Sequence, residues 1–165
     1  MLERTGIPTD DDLEKVIPDK KRLAQGPVVI IECFQKIPCD PCAISCKLGA
    51  IKPFKDINDL PQVDFDKCTG CGICISSCPG LAIFVIDVSY SEEKSLIKLP
   101  HEMLPLPENG EDVYALDRAG GILGKAKVAR FLKIKNKTNL ISLEVPKSMA
   151  MKVKSIKVED KNNER

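Results

Sequence analysis

All eight cysteines of this 165-residue chain lie between Cys33 and Cys78. The second group, DKCTGCGICISSCPG, sets Cys68, Cys71, Cys74 and Cys78 at C-x2-C-x2-C-x3-C-P. The first, ECFQKIPCDPCAISCKLGAI, reads Cys33-x5-Cys39-x2-Cys42-x3-Cys46. The two groups repeat. An offset of 32 maps Cys39, Cys42 and Cys46 onto Cys71, Cys74 and Cys78, and Ala50-Ile51 onto Ala82-Ile83. Upstream, Cys33 pairs with Cys68 after a three-residue insertion, and Val28 and Ile30 then match Val63 and Phe65. A duplicated unit of short strand, cysteine loop and short helix predicts pseudo-twofold symmetry. A disulfide framework would spread its bridges over a small secreted domain, whereas these cysteines are confined to one stretch and the start, MLERTGIPTDDDLEK, has no apolar signal region.

The spacing has a chemical reading. Three thiolates separated by two residues each wrap three corners of a cube-shaped iron–sulfur cluster, with the intervening N–H groups curled toward the sulfurs. Gly70 and Gly72 suit such a loop because glycine takes positive φ at little cost and admits close backbone approach. Pro79 follows Cys78 at a position that needs no backbone donor. The competing reading is structural zinc, which prefers paired knuckles with a longer spacer, often with histidine; the one histidine, His101, is far from both groups in sequence. Four-cysteine zinc sites stay open as the alternative.

Over residues 28–88 the sequence resembles the bacterial-type ferredoxins that carry two [4Fe-4S] clusters. The resemblance implies one cluster on Cys33, Cys39, Cys42 and Cys78 and another on Cys68, Cys71, Cys74 and Cys46. Two positions depart from the pattern: five residues rather than two follow Cys33, and Lys47 stands where a proline usually follows the fourth cysteine. The longer gap leaves a three-iron form as the alternative at the first group, while Val28–Ile31, leading into Cys33 as a strand should, favour Cys33 as a ligand. The resemblance implies a ferredoxin-like two-[4Fe-4S] domain with an internal repeat, and the β-rich runs after it predict a small C-terminal β-sheet or barrel module, an α+β fold in all.

Along the chain, residues 1–27 read as an arm, with Thr9 capping a short helix over Asp10–Val16 and Asp19 capping a second turn that ends at Gly26-Pro27. The arm is read either as a solvated wrapper or as a docking element. Residues 28–99 form the cluster domain: Val28–Glu32 and Leu81–Val88 are strands, Ser89–Lys94 a turn and Ser95–Leu99 a returning strand. Residues 100–110 (PHEMLPLPENG) read as a proline-rich linker, with His101 a linker or interface residue. Residues 111–165 form a basic β module with strands at Val113–Leu116, Ile122–Ile134, Leu140–Val145 and Val153–Val158, and one helical turn in Pro146–Met151. Gly120, Gly121 and Gly124 belong to a hairpin turn rather than a nucleotide loop, because no strand–helix pair flanks them.

Charge divides the same way. Residues 1–119 carry a net −7 and residues 120–165 a net +8. Lys125, Lys127, Arg130, Lys133, Lys135 and Lys137 read as the wet face of half-buried strands. Almost no aromatic residues interleave them, which argues against nucleic acid. No apolar run approaches the roughly 20 residues that span a bilayer, so a cytoplasmic protein without a membrane anchor is expected.

No acid, base or nucleophile constellation accompanies the cysteines, so the expected role is electron transfer without bond chemistry of its own. The arm, GPVVIIECF, CPGLAIFVID, the segment EMLPLPENG (Glu102 to Gly110) and Ala115–Arg118 also resemble ferredoxin-like subunits of flavin-dependent amino-acid dehydrogenase complexes, of the proline or hydroxyproline type. That resemblance implies flavoprotein partner subunits holding FAD, which this chain itself would not bind. The alternatives are a free cytosolic ferredoxin and, from another class, a nucleic-acid-binding or regulatory protein with a structural metal site.

Overall fold

Apolar residues alternate with polar ones through much of the second half of the chain, and a period of two builds sheet. The computed structural model describes residues 2–159. Seven strands form one open antiparallel sheet: β1 (Val28–Ile31), β2 (Ile83–Asp87), β3 (Lys94–His101), β4 (Asp112–Leu116), β5 (Ile122–Lys133), β6 (Asn139–Pro146) and β7 (Ser155–Lys157), in the spatial order β1-β2-β3-β6-β5-β4-β7. Strand β3 buries Ser95, Ile97, Leu99 and His101, and β6 buries Ile141, Leu143 and Val145, with the intervening side chains outward. These rows meet Val113, Ala115, Ala126, Val128 and Ile156 in one hydrocarbon core.

Strands β1 and β2 differ from the rest because nearly every residue in them is buried. Val28, Ile30, Phe84 and Ile86 face the large core, whereas Val29, Ile31, Ile83 and Val85 face a second core shared with Ile51, Cys74 and Ile75. Alternation along a strand thus sends one set of side chains each way, and the pair is a wall between two interiors. The continuous apolar runs VVII and IFVI reflect that double burial.

The C-terminal β module takes a different form from the appended unit expected. Strand β3 pairs with β6 over its whole length, from Lys94 opposite Pro146 to His101 opposite Asn139. An unpaired β3 edge would leave a row of backbone donors and acceptors open, and β6 satisfies it. The linker reading is corrected at its start: Pro100 and His101 are the last residues of β3. His101 is only 4% exposed, and burial holds it below the usual imidazole range against the pull of the Pro105 and Met103 carbonyls. The sheet curls at bulges beside Ala115/Leu116 and Val128/Arg130 but does not close, since β1 and β7 are its two edges. The ends of the expected arm and module, residue 1 and residues 160–165, lie outside the described residues.

The arm contains three short helices, α1 (Leu2–Thr5), α2 (Asp10–Glu14) and α3 (Lys20–Ala24). Thr9 and Asp12 form a reciprocal capping box on α2, and the Asp19 carboxylate accepts the Arg22 N–H to cap α3. The turn Lys147–Met149 leads from β6 toward β7. Across the sheet, Glu32, just past β1, accepts two hydrogen bonds from Arg118 at 2.6 and 3.0 Å and pairs with the Lys154 ammonium at 2.6 Å. Lys154 also lies over the Phe84 ring. All three charged side chains are largely buried. This knot ties the residue preceding Cys33 to the far half of the chain. Among the described residues, no helix is long and apolar enough to cross a membrane.

Candidate metal centre

Two further helices carry the cysteine groups. Helix α4 (Pro41–Ser45) begins with Pro41 in the first turn, where no backbone donor is needed, and α5 (Ile73–Ser77) begins after Gly72 in the left-handed conformation, φ 86°. Each helix ends on a cysteine whose backbone has turned extended, Cys46 (φ −78°, ψ 91°) and Cys78 (φ −83°, ψ 112°). That switch matters. Within a continuing helix, residues four apart share a face, so Cys42 would stand beside Cys46 and Cys74 beside Cys78. Ending the helix at the second cysteine of each pair turns it away from the first.

The eight thiols therefore fall into two quartets. One cavity, of about 290 Å³, is lined by Cys46, Cys68, Cys71 and Cys74 together with Val29, Ile51 and Val85. The other, of about 30 Å³, is lined by Cys33, Cys39, Cys42 and Cys78, with Ile31 and Ile83 behind them. Gln35 and Ile37, from the long gap after Cys33, and Phe54 and Pro61, from the segment between the repeats, also line it, which accounts for the smaller volume. The repeat extends to the backbone: β1 pairs with β2, Ile31 opposite Ile83, and Ile51 bridges Val63. Each unit's leading segment thus pairs with the other unit's trailing one.

None of the eight cysteines is in a disulfide; Cys71 is exposed, Cys74 is buried and the others lie between. Backbone N–H groups aim at the sulfurs: Val29 and Gly70 donate to Cys68 Sγ at 3.4 Å, and Ala82 to Cys78 Sγ at 3.5 Å. Burial, followed by charge repulsion from Cys68, Cys71 and Cys46, pushes the Cys74 thiol up to about 12. Burial chiefly pushes Cys42 to about 11, and Cys33 moves the same way, with Cys78 and Cys39 adding repulsion. Cys33, Cys42 and Cys74 thus resist becoming thiolates by themselves, and ligation of a metal there would release their protons. Among the described residues, no three or more His, Cys, Asp or Glu side chains gather closely enough to hold a single metal ion. The larger cavity surrounds a space that fits a multi-iron cluster better than one zinc ion.

Glycine is obligatory at one point of the loop. Gly70 has φ 64°, and a Cβ there would stand 2.5 Å from Cβ of Pro27. Two cations with no mark in the local sequence reach the same loop. Lys98 of β3 donates to the Gly70 carbonyl at 2.9 Å. Arg22 of α3 donates to the carbonyls of Cys68 (2.6 Å), Phe65 (2.7 Å), Pro27 (3.1 Å) and Gly26 (3.2 Å). Sequence reasoning missed both, since Arg22 sits in a basic run and Lys98 looks like any outward residue of an alternating strand. The basic side chains Lys125, Lys127, Arg130, Lys133, Lys135 and Lys137 are exposed on β5 and the turn after it, a turn whose Asn136 donates to the Ser76 carbonyl of α5.

Residues 61–84, which hold Cys68, Cys71, Cys74 and Cys78, match the 4Fe-4S binding domain family. The ferredoxin-type protein NapF of Haemophilus influenzae is 36% identical over 68 residues, 39% of this chain and 39% of that protein. A selenate reductase subunit of Mesobacillus selenatarsenatis is 27% identical over 103 residues, 62% of this chain and 34% of that protein. The PorD subunit of the pyruvate synthase of Methanocaldococcus jannaschii is 43% identical over 54 residues, 33% of this chain and 60% of that protein. The chain thus spans between about a third and three fifths of the length of these relatives. No solved structure matches it. The matched stretches are similar to 4Fe-4S binding proteins of ferredoxin type, some of which are named as subunits of oxidoreductases.

Proposed function

We propose that this chain relays electrons through two [4Fe-4S] clusters, one held by Cys33, Cys39, Cys42 and Cys78 and the other by Cys46, Cys68, Cys71 and Cys74. We assign it as the non-catalytic iron–sulfur subunit of a cytoplasmic, flavin-dependent oxidoreductase of the amino-acid dehydrogenase type, with FAD in partner subunits. The observation that carries the reading is the crosswise division of eight thiols, four and four, between two cavities that share the β1–β2 wall. When bound, such clusters supply one-electron redox chemistry.

The chain's own residues then have defined tasks. Helices α4 and α5 each hold one cysteine toward one cavity and, at their ends, one toward the other. Val29, Ile31, Ile83 and Val85 exclude water between the quartets, and the Val29, Gly70 and Ala82 N–H groups offset charge on sulfur. The amino-acid dehydrogenase assignment draws on the phrases shared outside the cysteine motifs, and the oxidoreductase-subunit names of two relatives support its coarser form.

Anaerobic purification is expected to yield a brown protein with about eight iron and eight sulfide per chain, the content of two cubane clusters. Cys78→Ala is expected to remove the signal of the quartet containing Cys33 while sparing the one containing Cys71. Half the iron in the native protein, loss of the opposite signal, or a colourless zinc-loaded chain would overturn the ligand assignment. Isolation from the native source should bring down a flavoprotein; a monomer with none contradicts the subunit assignment.

A further inference from the structure

We propose that Arg22 and Lys98 are positioning residues that clamp the loop from Cys68 to Gly72 and make the centre at Cys46, Cys68, Cys71 and Cys74 the more readily reduced of the two. The inference rests on the two-cluster reading above and adds to it an order of electron occupancy.

Taking up one electron adds one negative charge to a quartet, so fixed charges near each quartet decide which one accepts it first. The second quartet is surrounded by cations. Lys98 reaches the Gly70 carbonyl from β3, and its stem lies 3.7 Å from where a Cβ on Gly72 would stand. Arg22 reaches the Cys68 carbonyl from the arm, and its remaining hydrogen bonds also go to carbonyls. Neither is in an ion pair among the described residues, so each keeps its full positive charge beside the loop. Lys47 lines the same cavity, and no acidic side chain does.

The first quartet has the opposite surroundings. Asp59 lines its cavity and no cation does. Lys36, three residues after Cys33, and Lys52 and Lys55, which line a separate cavity with Asp59, are all exposed, so solvent screens them more than the half-buried Arg22 and Lys98 of the other quartet. Gln35, Ile37, Phe54 and Pro61 also cover this quartet, whereas Cys71 of the other is exposed. A neighbouring carboxylate disfavours added negative charge, and an exposed ligand such as Cys71 lets solvent help to accommodate it. Arg22 comes from the arm and Lys98 from the strand beyond the repeat, so elements outside the cysteine motifs break the symmetry of the duplicated unit.

The test is an EPR-monitored dithionite titration of the full chain, with the two signals assigned through Cys71→Ser. The signal altered by Cys71→Ser is expected to appear first in the native protein. Lys98→Gln should lower the reduced-to-oxidised ratio of that centre about tenfold at a fixed potential, equivalent to about 59 mV for one electron. The other centre should stay put, and Lys98→Arg should restore the native value. Arg22→Gln should act in the same direction; if it loses iron, the Lys98 pair decides. Equal shifts in both centres, no shift, or earlier reduction of the Cys33 quartet would overturn the inference while leaving the two-cluster reading intact. A native protein without two reducible centres overturns that reading and this inference together.

Discussion

The cysteine loops and the sheet are stabilised by different means. From residue 33 to 82 the chain has two five-residue helices and a single isolated bridge, and the core there consists largely of thiols and the inner faces of β1 and β2. From β3 onward long strands pair over eight residues and bury a hydrocarbon core. Helices this short do not hold by themselves in water, so the loops depend on packing against β1 and β2 and, in the two-cluster reading proposed above, on what the thiols bind. The sheet buries a hydrocarbon core of its own. The strands β1 and β2 belong to both halves.

The largest expected effect comes from metal removal. Stripping iron with a chelator and oxidant should abolish amide protection at residues 42–45 and Ile73–Ser77 while β5 and β6 stay protected, as hydrogen exchange would register. Loss of protection throughout the sheet would show that the two halves form one cooperative unit.

A cut in the sheet should do the reverse. Leu143 is fully buried, and Leu143→Ala is expected to cost about 2–5 kcal/mol. The thermal midpoint at a fixed scan rate should fall while the iron content of the folded protein stays native. Loss of iron in parallel would mean that the cysteine loops depend on the far core more than their contacts suggest.

The smallest effect lies where the halves are joined. Burial pushes Lys154 down to about 7, with Glu32 pulling back and Arg118 adding to the depression. Burial also pushes the Glu32 carboxyl up, but Arg118 and Lys154 outweigh it and hold it below its usual value. Between pH 7 and the ordinary lysine value of 10.5 the unfolded chain holds a proton that the folded chain has shed, so stability should rise with pH across that window. Below it both states are protonated and this contribution is flat. Thermal midpoints measured against pH should show that rise in the native chain and lose it in Lys154→Met; an unchanged slope would remove Lys154 from the account.

Much of the secondary structure was legible along the chain. Thr9 and Asp19 cap the helices expected of them, the runs at Val28 and Ile83 are strands, and Gly120 and Gly121 lie in the β4–β5 turn, while Gly124 sits inside β5 opposite Ala115. These features depend on neighbours a few residues apart, and so does the cysteine spacing. Pro100 and His101 misled because proline suggests a linker, whereas proline at position 100 is tolerated in β3 and the strand continues past it. The contacts of Arg22 with Cys68, of Lys98 with Gly70 and within the Glu32–Arg118–Lys154 knot left no readable sign, since these partners lie 28 or more residues apart.

By its residues alone the chain specified its metal chemistry, because thiols two and three positions apart are brought to their geometry by the local backbone. Tertiary structure decided which quartet each cysteine joins, the continuity of β3 with β6, and which loop receives the cations of Arg22 and Lys98. Those outcomes depend on how distant strands pair and which faces they bury, and no short stretch of sequence encodes that.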